Sequence, residues 1–373
     1  MNQETSYHRY QRQLLLKEFG EKGQDRLLKA KVLVVGAGGL GCPALQYLTA
    51  AGTGTIGIVD FDIVDITNLH RQVLYTTEDI GKPKASTAVE KLKKLNPDVT
   101  FLTYNVQLQA GNALEIISNF DIVIAGSDNF STRYLVNDAC VLLNKPLVYG
   151  AILRFEGQVG VFNLLDKDTN IKTNYRDLFP IPPAPGSTPS CSEAGVLGVL
   201  PGLIGVMQVT ECIKIITGIG KPLTNTILSY NCLSNQFYEF AVSRYEKGHS
   251  LIPKTAAEFH NFDYDWFCGT GRNSNEISSR EFDTLRLEES ITIIDVREKD
   301  ELPLVTEFIH TQIPLSIFEE TLSDISVNGK IIIFCQSGKR SLKAVKMLME
   351  KYPGVTTWSL EGGIEAWKKN LST

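Results

Sequence analysis

The sequence predicts an α/β fold in two domains, and three observations carry that reading. Lys31-Val-Leu-Val-Val35 is an apolar run of strand length that passes directly into Gly36-Ala-Gly-Gly-Leu-Gly41, where a helical stretch opens from about Cys42 to Ala51. A second apolar run, Thr55 to Val59, ends in an acid, Asp60. Far downstream the pattern starts afresh at Ile291 to Asp295 and Lys330 to Phe334. At 373 residues and 43% hydrophobic content, the chain is long for one core and sufficient for two. The expected division is a first domain over 1–246, a linker over 247–275 and a second α/β domain over 276–373.

Strand, glycine turn, helix and acid-tipped strand make a Rossmann-like start with the physics of a nucleotide site. Gly36 permits the tight turn, Gly38 beside Gly39 lets backbone approach a phosphate, and Gly41 lets the helix pack on the strand with its N-terminal amides turned to an anion. Asp60 stands at the spacing where an acid accepts from ribose hydroxyls, which alone would suggest a nicotinamide-dependent dehydrogenase. The residues beyond Asp60 do not suit one. Asp62, Asn68, Arg71, Gln72, Lys82 and Lys84 crowd charge near the phosphate end, and a triphosphate under attack needs cations on the charge that develops. These residues read as an ATP site.

Gly36 to Gly41, Asp60-Phe-Asp62 and Asn68-Leu-His-Arg-Gln72 closely resemble the ubiquitin-activating-enzyme superfamily in its bacterial MoeB/ThiF branch, over roughly the first two-thirds of the chain. The resemblance implies a mixed sheet, a homodimer, and a nucleotide site of Gly36, Gly38, Gly39, Gly41, Asp60, Asp62, Asn68, Arg71, Gln72 and Lys84. It also implies ATP with Mg2+ as cofactors and, as partner, a small ubiquitin-like sulfur carrier ending in Gly-Gly. On its own pattern, His8 to Gln13 is a solvated helix turn ahead of Leu14, Leu15, Leu16 and Phe19. The family opening Arg-Tyr-x-Arg-Gln instead makes Arg12 a candidate arginine finger for the partner subunit's ATP.

Beyond Lys84 a helix runs to about Leu95, Asn96-Pro97 breaks it, and Val99 to Tyr104 reads as a strand. Phe120 to Ala125 is another, ending at Ser127-Asp128-Asn129, where open α/β sheets bind ligands. A lone acid there is more often a helix cap than a metal ligand; the resemblance assigns Asp128 to the magnesium of MgATP. Strands at Leu147 to Ala151 and Gly157 to Asn163 flank Arg154 and Glu156, either an ordinary charged turn or, by resemblance, the channel for the carrier's tail. Leu165 to Glu193, rich in proline, reads as one long loop of the lid or binding kind. Cys191 ends it where a buried helical run from Ala194 to Thr210 begins. It is either a buried structural thiol or a reactive one, and the resemblance implies a thioester or acyl-disulfide role.

Strands at Thr226 to Tyr230 and Gln236 to Ala241 close the first domain. Members of the family usually share a zinc between two Cys-x-x-Cys pairs, and the matching positions here are Asn174, Asp177, Asp265 and Cys268. One thiolate with carboxylates and an amide is a poor tetrahedral set, so no structural zinc is expected. The linker would then be held by Phe259, Phe262, Tyr264, Trp266 and Phe267 packing on the first domain.

In the second domain the strand Lys330 to Phe334 leads into Cys335-Gln-Ser-Gly-Lys-Arg340, with a helix from Ser341 to Tyr352 after it. A cysteine between strand and helix is cradled by backbone N–H groups that favour an anion on sulfur. A phosphatase or a sulfurtransferase could use such a cradle, but Arg340 falls one position short of the phosphatase spacing. With Asp295-Val-Arg-Glu298 and Leu360-Glu-Gly-Gly363 the segment resembles a rhodanese domain, which implies a persulfide on Cys335, with Lys299 to Pro314 the divergent part.

Net charge is −5 with Lys and Arg scattered, which offers no face for nucleic acid or a membrane. Ala194 to Thr210 is broken by glycine and proline and too short to span a bilayer, and the polar Met1 to Arg12 has no signal-peptide core, so a cytoplasmic location is expected. Seven irregularly spaced cysteines suit reduced thiols. Together these readings predict an adenylyltransferase and sulfurtransferase in which Arg12, Arg71, Lys84, Asp128, Cys191 and Cys335 carry the chemistry. Molybdopterin, thiamine and tRNA thiolation pathways stay open, as does the sulfur donor. The competing readings are a nicotinamide-dependent oxidoreductase with a regulatory C-terminal domain and a non-catalytic binding module.

Overall fold

A computed structural model describes residues 8–183, 195–268, 275–287, 290–299, 301–302, 304–327 and 329–371. By contact the chain divides into two compact units, Met1–Cys268 and Gly269–Thr373. The first is built on β1 (Lys31–Val35), β2 (Thr55–Val59), β3 (Thr100–Tyr104), β4 (Ile122–Ala125), β5 (Leu147–Leu153), β6 (Glu156–Phe162), β7 (Thr226–Asn231) and β8 (Gln236–Ala241). They form one mixed sheet in the order β3-β2-β1-β4-β5-β6-β7-β8, parallel from β3 through β5 and antiparallel from β5 onward.

Alternate residues of β1 feed two cores, as the period of a central strand requires. Leu33 and Val35 pack with Ile117, Phe120, Val123 and Tyr134 on one face, and Val32 and Val34 with Leu45, Leu48, Ala88 and Cys212 on the other. Strand order reverses between β1 and β4, which is where a doubly wound sheet opens a crevice at its carboxyl end.

Three sequence expectations are corrected. The amphipathic first helix is interrupted: His8 and Arg9 are helical, Tyr10 is a turn, and Gln11–Leu14 resumes for four residues, with Leu15 and Leu16 left 68% and 56% exposed and a separate helix, Gly20–Lys29, after it. Leu165 to Glu193 is not one long loop: its described part contains the helix Tyr175–Leu178, capped at Asn174 and docked through buried Tyr175 and Arg176. The buried helical run lies at Val199–Thr217, later and longer than expected. That helix is long and apolar enough to cross a membrane, yet it packs on the sheet: Gln208 donates to the carbonyls of Ala125 and Val148, and Glu211 accepts from Leu223 N.

Residues 247–268, the first part of the expected linker, fold onto the first unit. Phe259, Tyr264 and Cys268 enter its core, with Phe262 and Phe267 packed against them; the Trp266 side chain lies outside those described. The expected zinc positions are otherwise engaged. Asn174 and Asp177 cap one another, and His249 Nε2 bonds Asp177 Oδ1 at 2.9 Å. Burial pushes the Cys268 thiol up to about 12. A zinc ion does not fit this set, since it wants thiolates and free imidazoles. The staple beside it is a buried ion pair in which Arg176 Nη2 donates to Asp138 Oδ2 at 2.7 Å. Its guanidinium lies 4.8 Å from the Tyr134 ring centroid and 4.6 Å from that of Phe267, and Tyr264 OH donates to the same carboxylate.

The second unit is a parallel five-stranded sheet of β9 (Glu276–Ile277), β10 (Ile291–Asp295), β11 (Thr311–Gln312), β12 (Lys330–Phe334) and β13 (Thr357–Leu360) in the order β11-β10-β12-β13-β9. The helix Lys339–Lys351 starts directly after the loop that leaves β12.

Candidate functional site

A cleft of about 310 Å³ opens at the switch point of the large sheet. Gly36, Gly38, Gly39, Asp60, Asp62, Asn68, Arg71, Gln72, Lys84 and Asp128 line it, so residues from four separate chain segments meet there. The glycines divide the work. Gly36 has φ +95°, a region closed to residues with a Cβ, and a Cβ on Gly41 would stand 1.9 Å from Gly36 O. Gly41 is therefore a packing residue behind the turn, the role its place in the motif predicts, and it does not itself line the cleft. A Cβ on Gly38 would meet nothing nearer than Gln72 Nε2 at 3.6 Å, so its backbone faces the open cleft.

Asp60 accepts from Ala37 N at 2.7 Å and Asp62 N at 2.8 Å, which ties the tip of β2 to the glycine turn. Burial still holds its carboxyl above the usual range, against those donors and Lys84. Lys84, the first residue of its helix and 5% exposed, donates to Asp62 Oδ2 at 2.9 Å. Arg71 is held by the carbonyl of Thr67 and by His70. Lys82 points elsewhere, toward Asp79.

The cap of the helix that follows falls to the neighbour of Asp128. Asn129 caps the helix Phe130–Leu142, its side chain accepting from Thr132 N at 2.7 Å, while Asp128 is exposed on the cleft wall. Its carboxylate is left free of the capping role and lines the cleft.

An adjoining cavity of about 400 Å³ shares Asp128, Arg133 and Ile152 with the cleft and continues between Tyr149, Tyr175, Phe179 and Glu156. Glu156 belongs to this wall. Arg154 sits at the β5–β6 turn with φ 54° and does not line it. The sequence reading missed Arg133, which faces both spaces. The signal was its place in the first turn of the helix that Asn129 caps. Arg12 is exposed and lines neither space, and Cys191 lies outside the described residues.

In the second unit Cys335 is fully buried at the carboxyl end of β12. Burial pushes its thiol up, but the hydroxyl and N–H of Ser341, both 3.4 Å from Sγ, with the N–H groups of Ser337 and Arg340, outweigh that. The thiol sits below its ordinary value. Asp295 and Arg297 form a buried pair beneath the loop, Arg297 Nη2 donating at 2.8 Å. Gly363 is required by close approach, because a Cβ there would stand 2.4 Å from Cys335 O, and Ile364 N donates to that same carbonyl at 2.8 Å.

Fold and geometry thus define a class: a nucleotide-binding doubly wound unit joined to a unit that cradles a buried thiol in N–H and hydroxyl donors. Residues 10–251 match the model of the ThiF family and residues 278–370 that of the rhodanese-like domain; the chain belongs to the ThiF family and carries a C-terminal rhodanese domain. A sulfur carrier protein adenylyltransferase of Thermus thermophilus is 51% identical over 261 residues, covering 70% of this chain and 96% of that protein. MoeZ of Mycobacterium tuberculosis, named a probable adenylyltransferase/sulfurtransferase, is 39% identical over 377 residues, covering 97% of this chain and 93% of its own length. Among solved structures, E. coli MccB with ATP superposes with a TM-score of 0.51 at 21% identity, over 60% of this chain and 67% of that one, a likeness of fold.

Proposed function

We propose that the protein activates the C-terminal glycine of a ubiquitin-like sulfur-carrier protein with ATP and then converts it to a thiocarboxylate with sulfur carried on Cys335. The observation that carries this is the pairing, in one chain, of the Gly36–Asp60–Arg71–Lys84–Asp128 cleft with the Cys335 cradle. The whole-length likeness to MoeZ supports it. The carrier's carboxylate arrives ionised and attacks the α-phosphorus as the bond to pyrophosphate breaks, so no general base is needed. Catalysis is positional and electrostatic. Lys84 and Arg71 neutralise phosphate charge and Asp60 accepts from ribose, while Asp128 would hold Mg2+, which would supply further charge neutralisation on the polyphosphate. The cavity through Tyr149, Tyr175 and Glu156 suits an extended, side-chain-poor Gly-Gly tail ending beside Asp128.

The terminal sulfur of the Cys335 persulfide then attacks the acyl carbon, AMP leaves, and an acyl disulfide results. A second thiol attacking Sγ of Cys335 releases the thiocarboxylate, and Cys191 is the proposed resolving thiol. We further propose a homodimer in which Arg12 serves the partner's phosphates; the exposed Leu15 and Leu16 that follow it in the chain, and exposed Tyr47, which shares a cavity wall with Gln13, supply apolar surface for it. Thiol and persulfide chemistry of this kind suits the reducing cytoplasm.

Carrier-dependent exchange between pyrophosphate and ATP tests the assignment. Lys84→Ala should slow exchange about 100-fold or more, as loss of a charge-stabilising group does. Cys335→Ala should leave exchange nearly unchanged and abolish thiocarboxylate formation. Loss of exchange in a folded Cys335→Ala protein would overturn the division of labour.

A further inference from the structure

We propose that Glu301 is a specificity-determining residue for loading sulfur onto Cys335: it clamps the one loop guanidinium that could seize a small dianionic donor, and so fits the site to a persulfide donor. The inference rests on Cys335 being the persulfide carrier. The loop Cys335-Gln-Ser-Gly-Lys-Arg340 ends in a planar cationic fork, the group best shaped for a sulfonate-type oxyanion. Here the fork is already taken. Arg340 Nη2 donates to Glu301 Oε2 at 2.7 Å and Nη1 donates to Oε1. Glu298 N donates to the same Oε1 at 3.0 Å, which ties the carboxylate to the backbone as well. The side chains of Arg340 and Glu301 are 35% and 30% exposed, so the clamp stands at the partly open rim of the site while Sγ lies inside.

The neighbouring guanidinium offers no substitute. Arg297 is 2% exposed, bidentate to Asp295 and set against Phe334. Lys339, exposed on the first turn of the next helix, is the loop's remaining cation. A small dianion entering the cradle must break a bidentate pair and face the carboxylate that is displaced. Glu301 is ionised throughout the working pH range, since Arg340 holds its carboxyl down to about 2.

Two loading reactions separate the donor classes. With thiosulfate, the Cys335 thiolate attacks the outer sulfur, the S–S bond breaks and sulfite departs with the electron pair, so a dianion must be bound. With a persulfide R–S–S⁻, the thiolate attacks the terminal sulfur and R–S⁻ departs, leaving the same Cys335 persulfide. The attacked donor carries a single diffuse charge, which the N–H groups of Ser337, Arg340 and Ser341 meet without a fork.

The test is single-turnover loading of the full chain, read as the mass gain of one sulfur atom on Cys335, with thiosulfate and glutathione persulfide as the two probes. Glu301→Gln should raise the second-order rate constant for thiosulfate about tenfold, with a steeper dependence on ionic strength, and leave persulfide loading within about twofold. Glu301→Asp, which keeps the charge, should discriminate as the native chain does. Adding Arg340→Gln to Glu301→Gln should erase the gain, because the released fork is its source. Should Glu301→Gln fail to fold, Glu301→Ala takes its place. Thiosulfate loading unchanged or slower in a folded Glu301 variant, or an equal gain for both donors, would overturn the proposal. Failure of the native chain to load from either donor would instead overturn the reading of Cys335.

Discussion

Lys84 and Asp62 face each other at 2.9 Å across the cleft, and Asp62 is half exposed while Lys84 is buried. A pair with one partner in solvent contributes only about 0–1 kcal/mol, so a phosphate oxygen can take the ammonium at little cost. That is how a cation can be both held in place and available. Glu301 is the opposite kind of residue, a carboxylate held firmly by Arg340. Its folded value of about 2 lies below its ordinary 4.5, so the pair contributes stability that is fully present above about pH 4.5 and is lost as pH falls toward 2. The difference in unfolding temperature between the native chain and Glu301→Gln should therefore shrink steadily over that window. A difference that stays constant from pH 5 to 2, on the scale of carboxylate titration, would show that the clamp does not hold the proton equilibrium.

At the scale of elements, what the sequence disclosed was local and what it concealed depended on distant partners. The β1 turn and Asp60 could be read because Gly36, Gly41 and the tip of β2 constrain one another within a short stretch, through contacts as close as Ala37 N to Asp60 at 2.7 Å. The helix Tyr175–Leu178 could not. Its proline-rich surroundings read as loop, and what holds it is Asp138, contributed by another helix. Asp128 was ambiguous for a related reason: two adjacent residues can each cap a helix, and only geometry shows that Asn129 does. Leu15 and Leu16 looked like core because their apolar character was visible and their exposure was not. The Arg176 staple leads to a prediction for the place where members of the family usually hold zinc. Elemental analysis should find no stoichiometric zinc, and a chelator should leave the unfolding temperature unchanged. Arg176→Ala should cost about 3–5 kcal/mol, because it leaves Asp138 buried without its counter-charge. One tightly held zinc per chain would overturn this account of how the 255–268 segment is held.

At the scale of the whole molecule, the two units separate two kinds of anion chemistry, polyphosphate in one and thiolate in the other, and each has its own sheet and its own glycine-dependent close approach. The residue that fits neither is Arg12, exposed on a short helix and absent from the walls of its own cleft. The proposal that Arg12 serves the phosphates therefore requires a second copy of the chain to deliver it. Exchange of subunits between Arg12→Ala and Lys84→Ala proteins tests this. If Arg12 acts across the dimer, each mixed dimer holds one site with both cations and one with neither. Equal mixing makes about half of the dimers mixed, so pyrophosphate exchange should recover to about a quarter of the native rate. If Arg12 acts within its own subunit, every site in the mixture lacks one cation and nothing is recovered. Activity that stays at the level of the two separate variants, with subunit exchange confirmed by mass, would return Arg12 to the role of a solvated helix turn.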